Sequence, residues 1–164
     1  MGGNQSRRSL LNTQSIESTQ SIESVEWDVG VITWEVTMIR RFEDIRAWQE
    51  ARTLTKQVYT LCKGSAGLRR DRRLREQMQA ASVSVMSNIA EGFSRRTDKE
   101  FTQFLFVAKG SAAEVQSLLY VALDQDYLSE QEFSGLYEKA DEAAKIISGF
   151  ITSLLRQPAR NRRK

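Results

Sequence analysis

"LREQMQAASVSVMSNIAEGFSRRTDKEFTQFLFVAKGSAAEVQSLL", residues 74–119, decides the fold. Its first half sets Leu74, Met78, Ala81, Val85, Asn88 and Gly92 at steps of four and three, the spacing that returns side chains to one helix face. Its second half opens with "TDKE", where Thr97 and Glu100 have the spacing of a capping box. From there Phe101, Leu105, Ala108, Ala112, Val115, Leu119 and Ala122 keep a heptad seam without a slip. Only "GFSRR" separates the halves, with Gly92 read as the end of the first helix, so the two helices turn back on each other. Met86, Ala90 and Phe93 widen the first stripe, and Phe104, Ser111 and Leu118 widen the second. Arcs that wide face more than one neighbour.

Further helices flank this pair. Upstream, Ile45, Trp48, Ala51, Thr55, Val58 and Cys62 predict a helix over about 43–63, closing at "KGSAG" where Gly64 or Gly67 can take a left-handed cap. The next helix is expected over about 69–92. Downstream, Ser129 and Glu132 in "SEQE" form a second capping-box pattern. Phe133, Leu136, Ala140, Ala143, Ile147, Ile151 and Leu154 then carry a seam to Arg156. The sole proline, Pro158, lies beyond all four. The expected fold is all-α, an antiparallel up-down-up-down four-helix bundle over 38–156.

Residues 1–37 read as a flexible N-terminal extension, or as sequence upstream of a start at Met38. "TQSIES" occurs at 13–18 and again at 19–24, with too few apolar residues to fill a core. "VEWDVGVITWEVTM" (25–38) alternates like a strand but has no evident partner strand. Residues 157–164 read as a basic tail.

Composition removes several chemistries. The 164 residues include no histidine and one cysteine, so zinc ligand sets and Ser-His or Cys-His nucleophile pairs cannot be assembled within the chain. No Gly-rich phosphate loop is present, and no apolar run is long enough to span a membrane. A cytoplasmic protein without cofactor or metal is expected. Charge is uneven: residues 1–37 balance at −3, and residues 38–164 at +6. "RRDRRLR" (69–75) holds five arginines against one aspartate. Such clusters suit a polyanion and also suit a solvated helix end.

Glu91 sits near a helix C-terminus, where the macrodipole disfavours a negative charge, so it should have a partner. Asn88, Glu91, Ser111 and Glu114 are read as a structural polar network that sets helix register. The competing reading is a carboxylate enzyme using Glu91, Glu114 and a divalent metal. Helix counting places those two acids more than about 10 Å apart within one subunit.

"FEDIRAWQEARTLTKQVYTL" (42–61), "SNIAEG" (87–92), the "F…FL…A+GS..E" pattern beginning at Phe101 and "DYLSEQEF" (126–133) occur in order. The set resembles the four-helix bundle family named for proteins encoded in 23S rRNA intervening sequences. The resemblance implies an up-down-up-down bundle assembling as a ring, typically a pentamer, with no established enzyme activity. A distant relative of that family, the accessory protein of diversity-generating retroelements, is a basic pentameric bundle that partners a reverse transcriptase and binds nucleic acid. The extension 1–37 and the arginine density at 69–75 depart from the family pattern.

The expected function is therefore a non-catalytic homo-oligomer that binds RNA or DNA. Arg69, Arg70, Arg72, Arg73 and Arg75 would form one phosphate-binding patch, and Arg95, Arg96 and Lys99 a second. A protein-interaction scaffold for a nucleic-acid-processing enzyme is the alternative. Trp48 and Phe93 could stack bases, although aromatics on such stripes usually pack inside the bundle.

Overall fold

A computed structural model describes residues 39–156. The 1–37 extension, Met38 and the 157–164 tail lie outside the described residues. After a 3-10 turn at Phe42–Asp44, the chain forms α1 (Arg46–Gly64), the short α2 (Ala66–Arg70), α3 (Arg72–Phe93), α4 (Asp98–Asp124) and α5 (Glu130–Arg156). The four long helices alternate in direction and close a square: α1 packs on α3, α3 on α4, α4 on α5, and α5 back on α1. This is the all-α up-down-up-down bundle.

The heptad seam of α4 is its core face. Phe101, Leu105, Ala108, Ala112, Val115, Leu119 and Ala122 are all fully buried. Both capping boxes form. At α4 the Thr97 hydroxyl accepts from Glu100 N–H at 3.2 Å while the Glu100 carboxylate accepts from Thr97 N–H at 3.2 Å. At α5, Ser129 N–H reaches the Glu132 carboxylate at 2.8 Å and Glu132 N–H reaches the Ser129 hydroxyl at 3.3 Å. Each box satisfies N–H groups that the helix itself leaves unpaired.

The core has two halves. One gathers Leu54, Val58, Leu68, Met78, Leu119 and Leu136 toward the α2 corner; the other gathers Ile45, Ile89, Phe101, Leu105, Ile147 and Phe150 toward the α3–α4 turn. Phe101 is the centre of the second half, edge-to-face with Phe93 at 6.2 Å and with Phe150 at 5.3 Å. Small side chains fill the waist between the halves. There the Thr55 hydroxyl lies 2.8 Å from the Ser82 carbonyl, a link from α1 to α3.

The structure corrects three expectations. The helix expected over 69–92 is broken at Asp71, whose carboxylate accepts from Leu74 N–H at 2.9 Å and starts α3 afresh. Neither Gly64 nor Gly67 is a left-handed cap: α1 ends on the extended residue Ser65, and Gly67 lies inside α2 beneath the Tyr127 ring. The left-handed residue is Asp126, at φ 54°. There Tyr127 N–H reaches back to the Ala122 carbonyl and Asp126 N–H to the Leu123 carbonyl, closing α4 in a Schellman motif. Gly92 does not end its helix, because α3 continues to Phe93. It is there for space: a Cβ at Gly92 would lie 2.6 Å from the Phe104 Cβ and 2.7 Å from Phe101 Cδ2.

Candidate nucleic-acid interface

Antiparallel helices deliver the two arginine groups to opposite ends. Arg69, Arg70, Arg72, Arg73 and Arg75 surround the α2 corner, while Arg95, Arg96 and Lys99 surround the α3–α4 turn. The 22 residues of α3 hold them about 33 Å apart.

At the α2 corner most of the guanidinium groups are occupied by the fold. Arg69 donates to the carbonyls of Lys63 at 3.0 Å and Gly64 at 3.3 Å, covering the C-terminus of α1 with positive charge. Arg70 donates to the Ala66 carbonyl at 3.3 Å, and Arg75 to the Arg69 carbonyl at 2.7 Å. Arg72 pairs with Glu76 one turn on, at 2.7 Å, and that hydrogen bond raises its pKa further. Arg73 alone of the five has no hydrogen bond or ion pair among the described residues. The break at Asp71 adds one helix C-terminus, that of α2, whose exposed carbonyls need donors; Arg75 supplies one to the Arg69 carbonyl.

The α3–α4 turn is different. Arg95 pairs with Glu91 and lies over the Phe104 ring, 4.7 Å from its centroid. Arg96 and Lys99 are exposed and unpaired among the described residues. Topology adds cations that sequence reading missed. Arg40 and Arg41 lead into this end, and Arg156 closes α5 there. Only the alternating helix directions reveal that grouping, since these residues are more than fifty positions apart in sequence from one group to the next.

The proposed polar network divides. Asn88 is half-buried beside the stripe, the core position being taken by Ile89. Its amide donates to the Ser84 carbonyl at 2.8 Å and to the Ser84 hydroxyl at 3.0 Å. The Ser84 and Ser111 hydroxyls meet at 2.8 Å, joining α3 to α4. Ser84 was missed, although its place one turn before Asn88 is the signal that could have found it. Glu91 and Glu114 stand outside this network. Glu91 takes Arg95, the cationic partner its helix end calls for. Glu114 is exposed on α4. With Ser84 level with Ser111, the two acids lie ten residue levels apart, about 15 Å along the bundle. Among the described residues no group of acids and cysteine could hold a metal ion.

Trp48 and Phe93 belong to the packing. Trp48 meets Phe42 edge-on at 5.1 Å, and Phe93 meets Phe101. Cys62 is buried, and burial pushes its thiol pKa up against the opposing pull of Arg75. On α5, Lys139 lies 2.6 Å from Glu142 and 3.5 Å from Glu50 of α1, so it ties the first and last helices together.

One surface feature has no polar role. The outward side of α4 leaves Phe106 55%, Val107 53%, Tyr120 50% and Val121 44% exposed. No helix among the described residues is long and apolar enough to cross a membrane.

A family model described as "23S rRNA-intervening sequence protein" matches residues 43–149. Among solved structures, one similar chain is a Bacteroides thetaiotaomicron protein of unknown function from the S23 ribosomal protein family. It superposes with a TM-score of 0.60 at 16% identity, covering 64% of this chain and 97% of the other. At that identity the likeness speaks for the fold alone. The search of curated proteins found no match.

Proposed function

The chain belongs to the 23S rRNA-intervening sequence protein family, and on that premise we propose that it is a non-catalytic, self-associating bundle that holds RNA or DNA through its cationic ends. The observation behind this reading is the outward side of α4. Single exposed apolar residues are ordinary, but Phe106–Val107 and Tyr120–Val121 form two pairs in a row along the outward side of α4, about 21 Å apart with exposed Glu114 and Ser117 between them, a surface suited to burial against a second copy. Closed rings built on such a face repeat the cationic ends around a common axis, and a pentamer would present five of each. Weak phosphate contacts then add through avidity.

Arg73 at one end, and Arg96, Lys99, Arg40 and Arg156 at the other, have no side-chain partner among the described residues and are the cations offered to phosphate. Arg69, Arg70 and Arg75, which donate to backbone carbonyls, still present unused N–H groups. Guanidinium and ammonium groups on phosphate carry no sequence information, so binding would follow charge and shape. The test is a filter-binding series with single-stranded RNA and duplex DNA across a salt gradient. We expect affinity to fall by about tenfold or more from 50 to 200 mM salt. Binding that ignores salt would remove the reading.

The same apolar row also fits a scaffold that holds a nucleic-acid-processing enzyme. A protein partner retained after nuclease digestion, with no affinity of the bundle itself for RNA or DNA, would favour the scaffold.

A further inference from the structure

Exposed apolar side chains also occur on a second side of the bundle. On α1, Trp48, Arg52, Thr55 and Tyr59 follow one another at steps of four and three, and so share one face. The Thr55 hydroxyl donates to the Ser82 carbonyl at 2.8 Å, which sets α3 beside that face. Counting from Ser82 along antiparallel α3 puts Met86 level with Ala51 and Val83 level with Leu54. Half-buried Trp48 and Met86, with exposed Val83 and Tyr59, therefore edge an apolar strip between α1 and α3. Arg52 stands within it, 5.8 Å from the Trp48 ring centroid, and has no ion pair or hydrogen bond among the described residues.

The outward side of α4 carries the complementary pattern. Val107, Glu114 and Val121 fall on one line at intervals of seven residues, and Phe106, Ala113 and Tyr120 on a parallel line. Glu114 thus has an apolar pair about 10 Å to either side. It has no ion pair or hydrogen bond among the described residues. Arg52 has Tyr59 about 10 Å to one side and Trp48 about 6 Å to the other. One surface reads apolar, acid, apolar, and the other apolar, cation, apolar.

The two cannot meet within one chain, because α4 stands diagonally across the square from α1. Nor does the row of α4 suit a second copy of itself. Row against row would bring the Glu114 side chains of both copies together, two like charges losing water with no cation between them. We propose that the α4 row of one copy seats on the α1–α3 strip of the next, with Glu114 paired to Arg52 of the partner subunit. Each copy then offers its row to one neighbour and its strip to another, a head-to-tail contact of the kind that closes into rings. This assignment rests on the self-association proposed above and makes no use of nucleic-acid binding.

The test is light scattering on the full chain over a concentration series, with the variants R52E, E114R and R52E/E114R. Each single reversal sets like charges face to face, so it should raise the concentration at which half the chains are assembled by about tenfold or more. The double variant exchanges the two charges and should return that concentration to within about threefold of the parent. Such a recovery also separates a broken contact from a damaged fold. An assembled parent whose R52E variant assembles unchanged would overturn the contact, even if E114R weakened it, because the row would then lie on some other surface. Two weakened single variants with no recovery in the double would overturn the pairing of Glu114 with Arg52. A parent that scatters as one chain at every concentration would remove the self-association reading and this contact together.

Discussion

At Gly92 one methyl group separates a packed helix crossing from a clash. The missing Cβ lets α3 approach Phe101 and Phe104, which anchor the start of α4. Gly92→Ala should therefore destabilise the bundle by about 1–3 kcal/mol, the usual cost of overpacking. Gly135, in α5, has nothing within 4 Å of its hypothetical Cβ, so Gly135→Ala should stabilise by about 0.5–1 kcal/mol through helix propensity. Urea midpoints of the two variants should move in opposite directions from the parent; shifts of the same sign would contradict the geometry. Asn88 and Ser111 show the same dependence on neighbours. Their polarity on an apolar stripe is visible in sequence, but their meeting through Ser84 depends on the register between two helices.

Helix ends decide where each element starts and stops. The boxes at Thr97 and Ser129 are local motifs within four residues, which is why sequence alone located them. The Ser129 N–H, and after it the Ser129 hydroxyl, hold the Glu132 carboxyl below its ordinary value of 4.5. A carboxyl whose pKa is lowered on folding favours the folded state above the ordinary value. That contribution is lost as pH falls below 4.5 and through the lowered folded value. The urea midpoint should therefore fall in that range, and Ser129→Ala should make the decline shallower because only the backbone donor remains. An unchanged profile in the variant would contradict this assignment. The break at Asp71 escaped sequence reading for a different reason. "RRDRRLR" is compatible with a continuous helix; in the structure the chain turns there, beside the corner where Leu68 is buried and Ser65 meets Tyr127. The Ser65 hydroxyl donates to the Tyr127 carbonyl at 2.6 Å and so fastens one end of the bundle across 62 positions of sequence.

At the scale of the whole described bundle, the apolar side chains fill a divided core and leave the outward pairs of α4 exposed, along with Tyr59, Val83 and Leu155. Replacing Phe106 and Val107 together with glutamate should leave the fold intact, because neither side chain belongs to the core. It should reduce the proposed assembly to the mass of one chain in light scattering, since opposed carboxylates would have to be desolvated at that interface. An assembly unaffected by both substitutions would place the contact elsewhere. The cationic ends also belong to this scale. Five arginines in one stretch drew attention to the α2 corner, yet three of them donate to backbone carbonyls and a fourth forms an ion pair there. The less conspicuous Arg96 and Lys99 have no side-chain partner among the described residues.

Periodicity, two capping boxes and the lack of internal proline determined four amphipathic helices and their order, because those signals act within one or two turns of chain. The core face of α4 was readable residue by residue for the same reason. Tertiary structure alone decided which charges are occupied, which helix ends share a pole, and where a glycine serves space rather than a turn. These depend on distances between elements, and neighbours in the bundle are set by helix direction and register across long separations in sequence.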